Sequence, residues 1–155
     1  MNITEIVTAD RMRVLDDVAS KKRALERLSE LLGEGTPYVT ENEIFTALVG
    51  REKLGSTGIG HGVAIPHGRL KGVEECVGAM IRLEQPVDFG ATDDAPVDIL
   101  FGLIVPEKST EEHLELLRAL AEMFSAPDCL QALRQAGDGE ALLAQVSRRA
   151  GSTGD

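Results

Sequence analysis

The chain has 155 residues, 43% of them hydrophobic, which is enough for one complete core and too few for two. Its formal net charge of -10 argues against nucleic acids and anionic membranes as partners and favours a protein with a basic face. We expect a single domain over 1–150 followed by a disordered tail over 151–155.

Cysteine usage and hydropathy indicate the compartment. Cys76 and Cys129 lie far apart without CxxC spacing, so both are expected to be reduced core residues. No apolar run approaches the ~18 residues of a membrane span, and no secretory signal is recognisable. We therefore expect a cytoplasmic protein without membrane insertion.

The first part of the chain predicts one short strand, over 12–15, and two amphipathic helices. Ser20 is suited to cap the first helix, and Gly33 is expected to end it. Thr40 and Glu43 form a capping box before the second helix. The apolar residues that share one face of each helix are Ala24, Leu25, Leu28, Leu31 and Leu32, and then Ile44, Phe45, Leu48 and Val49.

A glycine-rich loop follows the second helix, which ends around Arg51 and delivers that residue to the loop. Residues 55–69 hold five glycines, two hydroxyl side chains, two histidines and an arginine. Glycines leave backbone N–H groups uncovered, so the loop is expected to close around an anion with main-chain donors. The residues expected to form this phosphate cradle are Ser56, Thr57, Gly58, Gly60 and Gly68.

His67 is the candidate nucleophile. It follows the strand-like run 63–65, and Pro66 biases Ile65 towards an extended conformation, so we expect His67 at a stiff strand end. A neutral imidazole, with an ordinary pKa of about 6.5, can act as a nucleophile at neutral pH. Phosphoryl transfer depends on positioning and on charge neutralisation, and the nearby Arg69 suits that chemistry. His67 is therefore the candidate phosphoryl acceptor.

Three apolar runs predict strands after the loop. They cover 76–83, 87–91 beyond Pro86, and 97–105. The last is nearly continuous, which is typical of a central strand covered on both faces. With helices before and after these strands, the fold class is α/β, a single-domain sandwich of a mixed, mostly parallel sheet flanked by helices on both faces.

Helices complete the chain. Ser109 and Glu112 form another capping box, so His113 is expected in the first turn of a helix. Because that turn follows the central strand, His113 is expected at the sheet edge where α/β proteins bind ligands. The inward residues of this helix are expected to be Leu114, Leu117, Leu120, Ala121 and Phe124. Two further helices are expected over 129–135 and 140–149.

Parts of the chain resemble a known family. The run from Glu52 through Leu54, Ile59, Gly60 and 63–68 resembles the active-site signature of the mannitol/fructose-type enzyme IIA domains of the bacterial phosphotransferase system. Further segments resemble the nitrogen-regulatory branch of that family. These segments are 20–26, 51–58, 96–98, 105–106 and 113–114. The resemblance covers roughly 3–149.

The resemblance implies a small mixed sheet between helices and a phosphohistidine carrier without a cofactor. It implies that His67 is phosphorylated, through Nε2, by a carrier of the HPr or nitrogen-HPr type that is charged from phosphoenolpyruvate through enzyme I. It also implies that Arg51 and His113 flank the site. The expected role is a phosphorylation-dependent regulator of other proteins, linked to nitrogen, carbon or potassium supply.

Two alternatives stay open at this stage. A sugar-delivery IIA of the fructose or mannitol type would share the chemistry and pass phosphate to a separate IIB protein. A zinc-binding module would use His61, His67 and His113, although neither HExxH nor a helical histidine pair is present. His61 has no assigned role otherwise.

Overall fold

The computed structural model describes residues 2–108 and 111–153. Two short 3-10 turns, Ile3–Glu5 and Ala9–Arg11, come first. The strands are β1 Met12–Leu15, β2 Gly58–Gly60, β3 Val63–Ala64, β4 His67–Leu70, β5 Val77–Val87 and β6 Val97–Pro106. The α-helices are α1 Lys21–Glu34, α2 Glu41–Glu52, α3 Glu111–Met123, α4 Pro127–Gln135 and α5 Gly139–Thr153.

All six of these strands belong to one mixed sheet, with the order β1-β5-β6-β3-β2 and with β4 paired to β6. β6 runs parallel to β3 and β4 and antiparallel to β5, while β1 is parallel to β5 and β2 is antiparallel to β3. The mixed sheet and the central position of β6 are both confirmed.

Helices cover both faces of the sheet, as the continuous apolar run of β6 predicted. Along β6, Phe101 and Leu103 belong to a core that contains residues of α3, α4 and α5. Leu100 and Ile104, which alternate with them, belong to a second core with α1 and α2. Alternate side chains of a strand point to opposite faces, so a strand between two helical layers needs apolar residues at both sets of positions.

The predicted helix starts are confirmed for α1 and α2, but α1 continues further than expected. The Ser20 side chain accepts a hydrogen bond from the Arg23 N–H, and the Thr40–Glu43 capping box is complete. Gly33 lies inside α1, and the cap is Gly35. Burial of Leu31 and Leu32 in the last turns offsets the cost of about 1 kcal/mol of a helical glycine.

The strand expected over 76–83 continues through Pro86 to Val87 as β5, and no separate strand forms over 87–91. Its pairing with β6 is irregular between Arg82 and Val87, and Pro86 lies in that interval. Proline has no N–H to donate, so it is tolerated where the ladder is already interrupted. The separate short strand was therefore a wrong prediction.

Four of the five residues expected to face inward, Leu117, Leu120, Ala121 and Phe124, pack on the core, and Leu114 is the exception. The buried residues of α3 are His113, Leu116, Leu120 and Met123, whereas Leu114 is 53% exposed. The expected capping box involves Ser109, which lies outside the described residues. α3 therefore turns Leu114 towards the surface, which bears on the site described below.

The C-terminal helices begin two and one residues earlier than expected, at Pro127 and Gly139. Pro127 occupies the first turn of α4, where a missing N–H costs nothing. α5 runs to Thr153 rather than ending at Arg149. The tail over 151–155 stays a prediction, since residues 154 and 155 lie outside the described part. No helix in the described ranges is long and apolar enough to cross a membrane.

Candidate functional site

A pocket of about 380 Å³ lies between α2, β4 and α3. It brings together His67, Arg51 and His113, which are separated by up to 62 residues in sequence. Apolar side chains make up much of the remaining wall. They are Ala47, Leu54, Leu103, Val105, Leu114 and Leu117. The structure thus places all three expected site residues in one cavity.

Backbone pairing to the central strand holds His67 in place. It begins β4, directly opposite Leu103 of β6, and the Pro66 carbonyl accepts a hydrogen bond of 2.9 Å from the Leu103 N–H. The sequence predicted His67 at the end of a strand, whereas β3 ends at Ala64 and His67 starts the next strand. Pro66 interrupts the strand because it lacks an N–H, but its carbonyl still attaches the segment to the sheet.

The hydrogen bonding of His67 determines which ring nitrogen is reactive. Nδ1 lies 2.8 Å from the Ile65 carbonyl oxygen, which can only accept, so Nδ1 carries the hydrogen and Nε2 keeps its lone pair. Burial lowers the pKa of His67, and the guanidinium groups of Arg51 and Arg69 lower it further. The Ile65 hydrogen bond and the Glu52 carboxylate act in the opposite direction. The net effect favours the neutral, nucleophilic imidazole.

Arg51 and His113 reach the pocket from two different helices, α2 and α3. Arg51 lies in the last turn of α2 and donates to the Gly55 carbonyl oxygen at 2.8 Å, which orients its guanidinium beside the loop. His113 is buried in the first turn of α3. A guanidinium and an imidazole are suited to bind the oxygens of a phosphoryl group. Their roles in transfer remain predictions.

The glycine loop differs from the open ring of donors that the sequence indicated. The Thr57 N–H and hydroxyl both donate to the Glu52 carboxylate, and the Gly58 N–H donates to the Ser56 hydroxyl oxygen. The Ser56 hydroxyl in turn donates to the Phe89 carbonyl oxygen. These groups therefore hold the shape of the loop instead of pointing unused donors at an anion.

The other cradle residues are placed unevenly around His67. A second pocket, next to the first, is lined by Ser56, Thr57, Gly58, Arg51 and His67. Gly68 lines the first pocket, and a Cβ at this position would lie 3.0 Å from the Ala47 Cβ of α2. Gly60 lines neither pocket. Gly68 is therefore required for the close approach of α2 to β4.

His61 lies apart from the other two histidines. It is exposed, has a positive φ of 60°, and accepts a hydrogen bond from Arg134 of α4 through its carbonyl oxygen. It lines a separate pocket beside α4. Among residues 2–108 and 111–153, no group of three or more His, Cys, Asp or Glu side chains is arranged to hold a metal ion. The zinc hypothesis therefore has no site in this part of the chain.

Sequence reasoning missed the exposed apolar residues around the pocket. Leu54 is 84% exposed just after α2, and Ile59 and Leu114 are also exposed. Leu54 follows α2 and does not belong to the apolar face of that helix, which could have indicated that it is exposed. Leu114 was expected in the core. Cys76 and Cys129 are buried and free, as expected, and burial raises the pKa of both thiols.

Comparison with known proteins gives the family. The model for the phosphoenolpyruvate-dependent sugar phosphotransferase system, EIIA 2, matches residues 5–148. The chain belongs to this family. This EIIA protein is 49% identical over 142 residues to a nitrogen regulatory protein of Pseudomonas aeruginosa, covering 92% of each chain.

Solved structures agree with this assignment. The crystal structure of the nitrogen regulatory protein IIA-Ntr from Neisseria meningitidis matches with a TM-score of 0.86 and 44% identity, covering 93% of this chain and 98% of that one. IIA mannitol from Escherichia coli matches with a TM-score of 0.74 at 22% identity, covering 90% and 98%, which shows a shared fold. This EIIA component is a phosphotransferase-system carrier and a homologue of nitrogen regulatory proteins.

Proposed function

We propose that this EIIA protein accepts a phosphoryl group on Nε2 of His67 from the phosphohistidine of an HPr-type or nitrogen-HPr-type carrier in the cytoplasm. The observation that carries the proposal is the 2.8 Å contact between His67 Nδ1 and the Ile65 carbonyl oxygen. It leaves Nε2 as the nitrogen with a lone pair, on a ring that lines the pocket.

The transfer step needs no group to accept a proton. Nε2 attacks the phosphorus of the donor's phosphohistidine, and the new N–P bond forms as the donor's N–P bond breaks. The donor imidazole nitrogen keeps the electron pair of the broken bond. His67 keeps the hydrogen on Nδ1 throughout, and the Ile65 carbonyl stabilises the positive charge that develops on the ring.

Arg51 and His113 complete the site by stabilising the phosphoryl oxygens. Both line the pocket with His67, and Arg51 is already oriented by its bond to Gly55. Positioned donors in a partly buried pocket are effective because they need little reorganisation when charge develops. Neither is the acceptor.

We further propose that the phosphorylation state of His67 regulates the binding of target proteins. The exposed side chains of Leu54, Ile59 and Leu114 form an apolar rim around His67. Phosphorylation places about -1.5 to -2 charges inside this rim, and a target that packs apolar surface over it would have to desolvate the phosphate. Targets should therefore bind the unphosphorylated form. The similarity to nitrogen regulatory proteins supports a regulatory role.

A phosphorylation assay tests the acceptor. Incubation with phosphoenolpyruvate, enzyme I and the carrier should add one acid-labile, base-stable phosphate to wild type and to His61→Ala, and none to His67→Ala. Label retained in His67→Ala would reject the assignment, as would label lost in His61→Ala.

Affinity purification from cytoplasmic extract tests regulation against sugar delivery. Wild type and His67→Ala should retain the same partners, and His67→Asp, which carries a negative charge at the site, should release most of them. Equal retention by all three proteins would contradict regulation. Rapid transfer of phosphate from this protein to a sugar-specific IIB would instead favour the delivery role.

A further inference from the structure

Glu52, at the end of α2, has a buried carboxylate with three donors around it. Its side chain is 4% exposed. Oε1 accepts from the Thr57 N–H at 3.1 Å and lies 3.0 Å from Lys21 Nζ, and Oε2 accepts from the Thr57 hydroxyl. Neither the transfer step nor the apolar rim uses this residue.

Lys21 extends the same network to other parts of the fold. Its ammonium also donates to the Phe89 carbonyl oxygen at 3.1 Å and lies 4.3 Å from the centre of the Phe89 ring. The Ser56 hydroxyl donates to that same carbonyl oxygen. The start of α1, the end of α2, the loop over 55–58 and the segment after β5 are thus joined around one carboxylate.

Burial makes this ion pair different from those on the surface. A carboxylate removed from water is tolerated only when charged or polar donors compensate the loss of hydration. If one of these donors is removed, the carboxylate stays buried and most of its desolvation cost is no longer offset. By contrast, Arg27 of α1 pairs with the exposed Asp17 at 3.4 Å, where solvent screens the interaction. The two cations are similarly exposed, but the Glu52 side chain is 4% exposed and that of Asp17 is 60% exposed, so loss of Lys21 should cost more than loss of Arg27.

We infer that Glu52, held by Lys21, is a positioning residue for phosphoryl transfer to His67. It ties the loop over 55–58 to the last turn of α2, the turn that carries Arg51 into the pocket. Lys21 has a second effect, because it neutralises a carboxylate that would otherwise repel the incoming phosphoryl group. The inference rests on the proposed phosphorylation of His67.

Electrostatic coupling between Glu52 and His67 supports this assignment. The Glu52 carboxylate raises the pKa of His67, against the larger lowering by burial. Replacing Glu52 by Gln keeps the size and an acceptor for Thr57 but removes the charge. The pKa of His67 should then fall further below its ordinary value, a change that a purely structural role for Glu52 would not produce.

Four variants test the inference by single-turnover transfer from the phosphorylated carrier. Glu52→Gln should slow transfer about 10-fold, and Lys21→Met should slow it more, since small displacements of a reacting group cost up to ~10²-fold and the bare carboxylate adds repulsion. The double variant Lys21→Met/Glu52→Gln should be faster than Lys21→Met alone, because it removes the uncompensated charge. Arg27→Met, which breaks the exposed pair on the same helix, should transfer at the wild-type rate.

Two further measurements separate positioning from folding. Circular dichroism and urea unfolding establish that each variant is folded under the assay conditions. NMR titration of the His67 ring should give a lower pKa in Glu52→Gln than in wild type. A wild-type transfer rate in Glu52→Gln would overturn the inference, whatever the titration shows, as would a double variant slower than Lys21→Met. If wild-type protein itself takes no phosphate on His67, the proposed function fails instead.

Discussion

At the scale of single residues, the proposed chemistry depends on the two nitrogens of His67, which have different surroundings in the fold. Nδ1 is bound to the Ile65 carbonyl oxygen, two residues earlier in the same chain, which leaves Nε2 as the proposed acceptor of the phosphoryl group. Burial and two nearby arginines favour the neutral ring. In the proposed function, the acceptor is thus prepared by contacts made before any donor arrives.

The lowered pKa of His67 predicts a pH dependence of stability. In the unfolded chain His67 takes up a proton as the pH falls through about 6.5, whereas the folded protein does so only at lower pH. Between those two values the unfolded state binds more protons, so the free energy of unfolding should decrease as the pH falls. Urea unfolding of wild type and His67→Gln from pH 8 to 5 measures this contribution. Parallel curves for the two proteins would contradict it.

Loss of Arg51 or His113 should slow phosphoryl transfer without reducing the amount of phosphate that is finally taken up. Arg51→Ala or His113→Gln should slow transfer to His67 by about 10²-fold, by analogy with removal of a preorganised oxyanion donor, while one phosphate is still taken up at long times. Gln is chosen at 113 because that position is buried and an alanine would leave a cavity. Rapid-quench kinetics provides the measurement.

Arg13→Ala is the matched control for these two variants. Arg13 is exposed on β1, at the edge of the sheet away from β3 and β4, so its loss should leave the rate unchanged. Wild-type rates in both Arg51→Ala and His113→Gln would remove those residues from the site.

At the scale of secondary-structure elements, the packing of α2 against β4 builds the pocket. α2 supplies Ala47, which contacts β4, and Arg51 and Glu52, which act at its C-terminal end. A small residue at Gly68 lets the helix approach the strand closely. This interface, together with the bond from Arg51 to Gly55, therefore sets the position of Arg51 relative to His67.

Two glycine substitutions test that interface in opposite directions. Gly68→Ala should destabilise the protein by about 1–3 kcal/mol, because the added Cβ would lie 3.0 Å from the Ala47 Cβ and 3.3 Å from its carbonyl carbon. Gly50→Ala, three residues further along α2 than Ala47, meets nothing within 4 Å and should stabilise by about 0.5–1 kcal/mol. Urea unfolding of both variants gives the two changes in the free energy of unfolding. Equal changes would contradict the claim that Gly68 is needed for the close approach of α2 to β4.

At the scale of the whole molecule, charge is expected to guide the donor. The net charge is -10, and an acidic pocket lined by Glu5, Glu74, Glu75 and Glu112 also includes His113, which lines the His67 pocket as well. A donor with a basic face would be attracted to this side of the protein over a distance set by ionic strength. Encounter rates, more than final affinity, respond to such fields.

Transfer from the carrier should therefore slow as salt increases from low to physiological ionic strength. The double variant Glu74→Gln/Glu75→Gln should be slower than wild type at low salt and less sensitive to salt, because both residues are exposed beside the site. Gly78, near one end of β5, pairs with Leu103, which is also the partner of His67. Glu84 lies towards the other end of β5, so Glu84→Gln serves as the control. It should behave nearly as wild type. A salt-independent rate in wild type would contradict electrostatic steering.

Features that depend on neighbours in sequence could be predicted without the structure. The caps of α1 and α2 form between residues three apart, so Ser20 and the Thr40–Glu43 pair were sufficient to place both helix starts. The continuous apolar run of β6 indicated a central strand because burial on both faces needs it. Pro66 and the glycines around His67 likewise indicated the acceptor from local chemistry, a role that remains a proposal.

Tertiary structure alone decided which partners those local segments would have. Periodicity shows that α3 is amphipathic, but docking on the sheet sets which residues are inward, and Leu114 faces the surface. The loop donors expected for phosphate bind Glu52 and Ser56 instead, and Lys21 reaches Glu52 across 31 residues of sequence. Hydrogen-bond and ion partners distant in sequence leave no periodic signal, because they are fixed only when separate elements pack together.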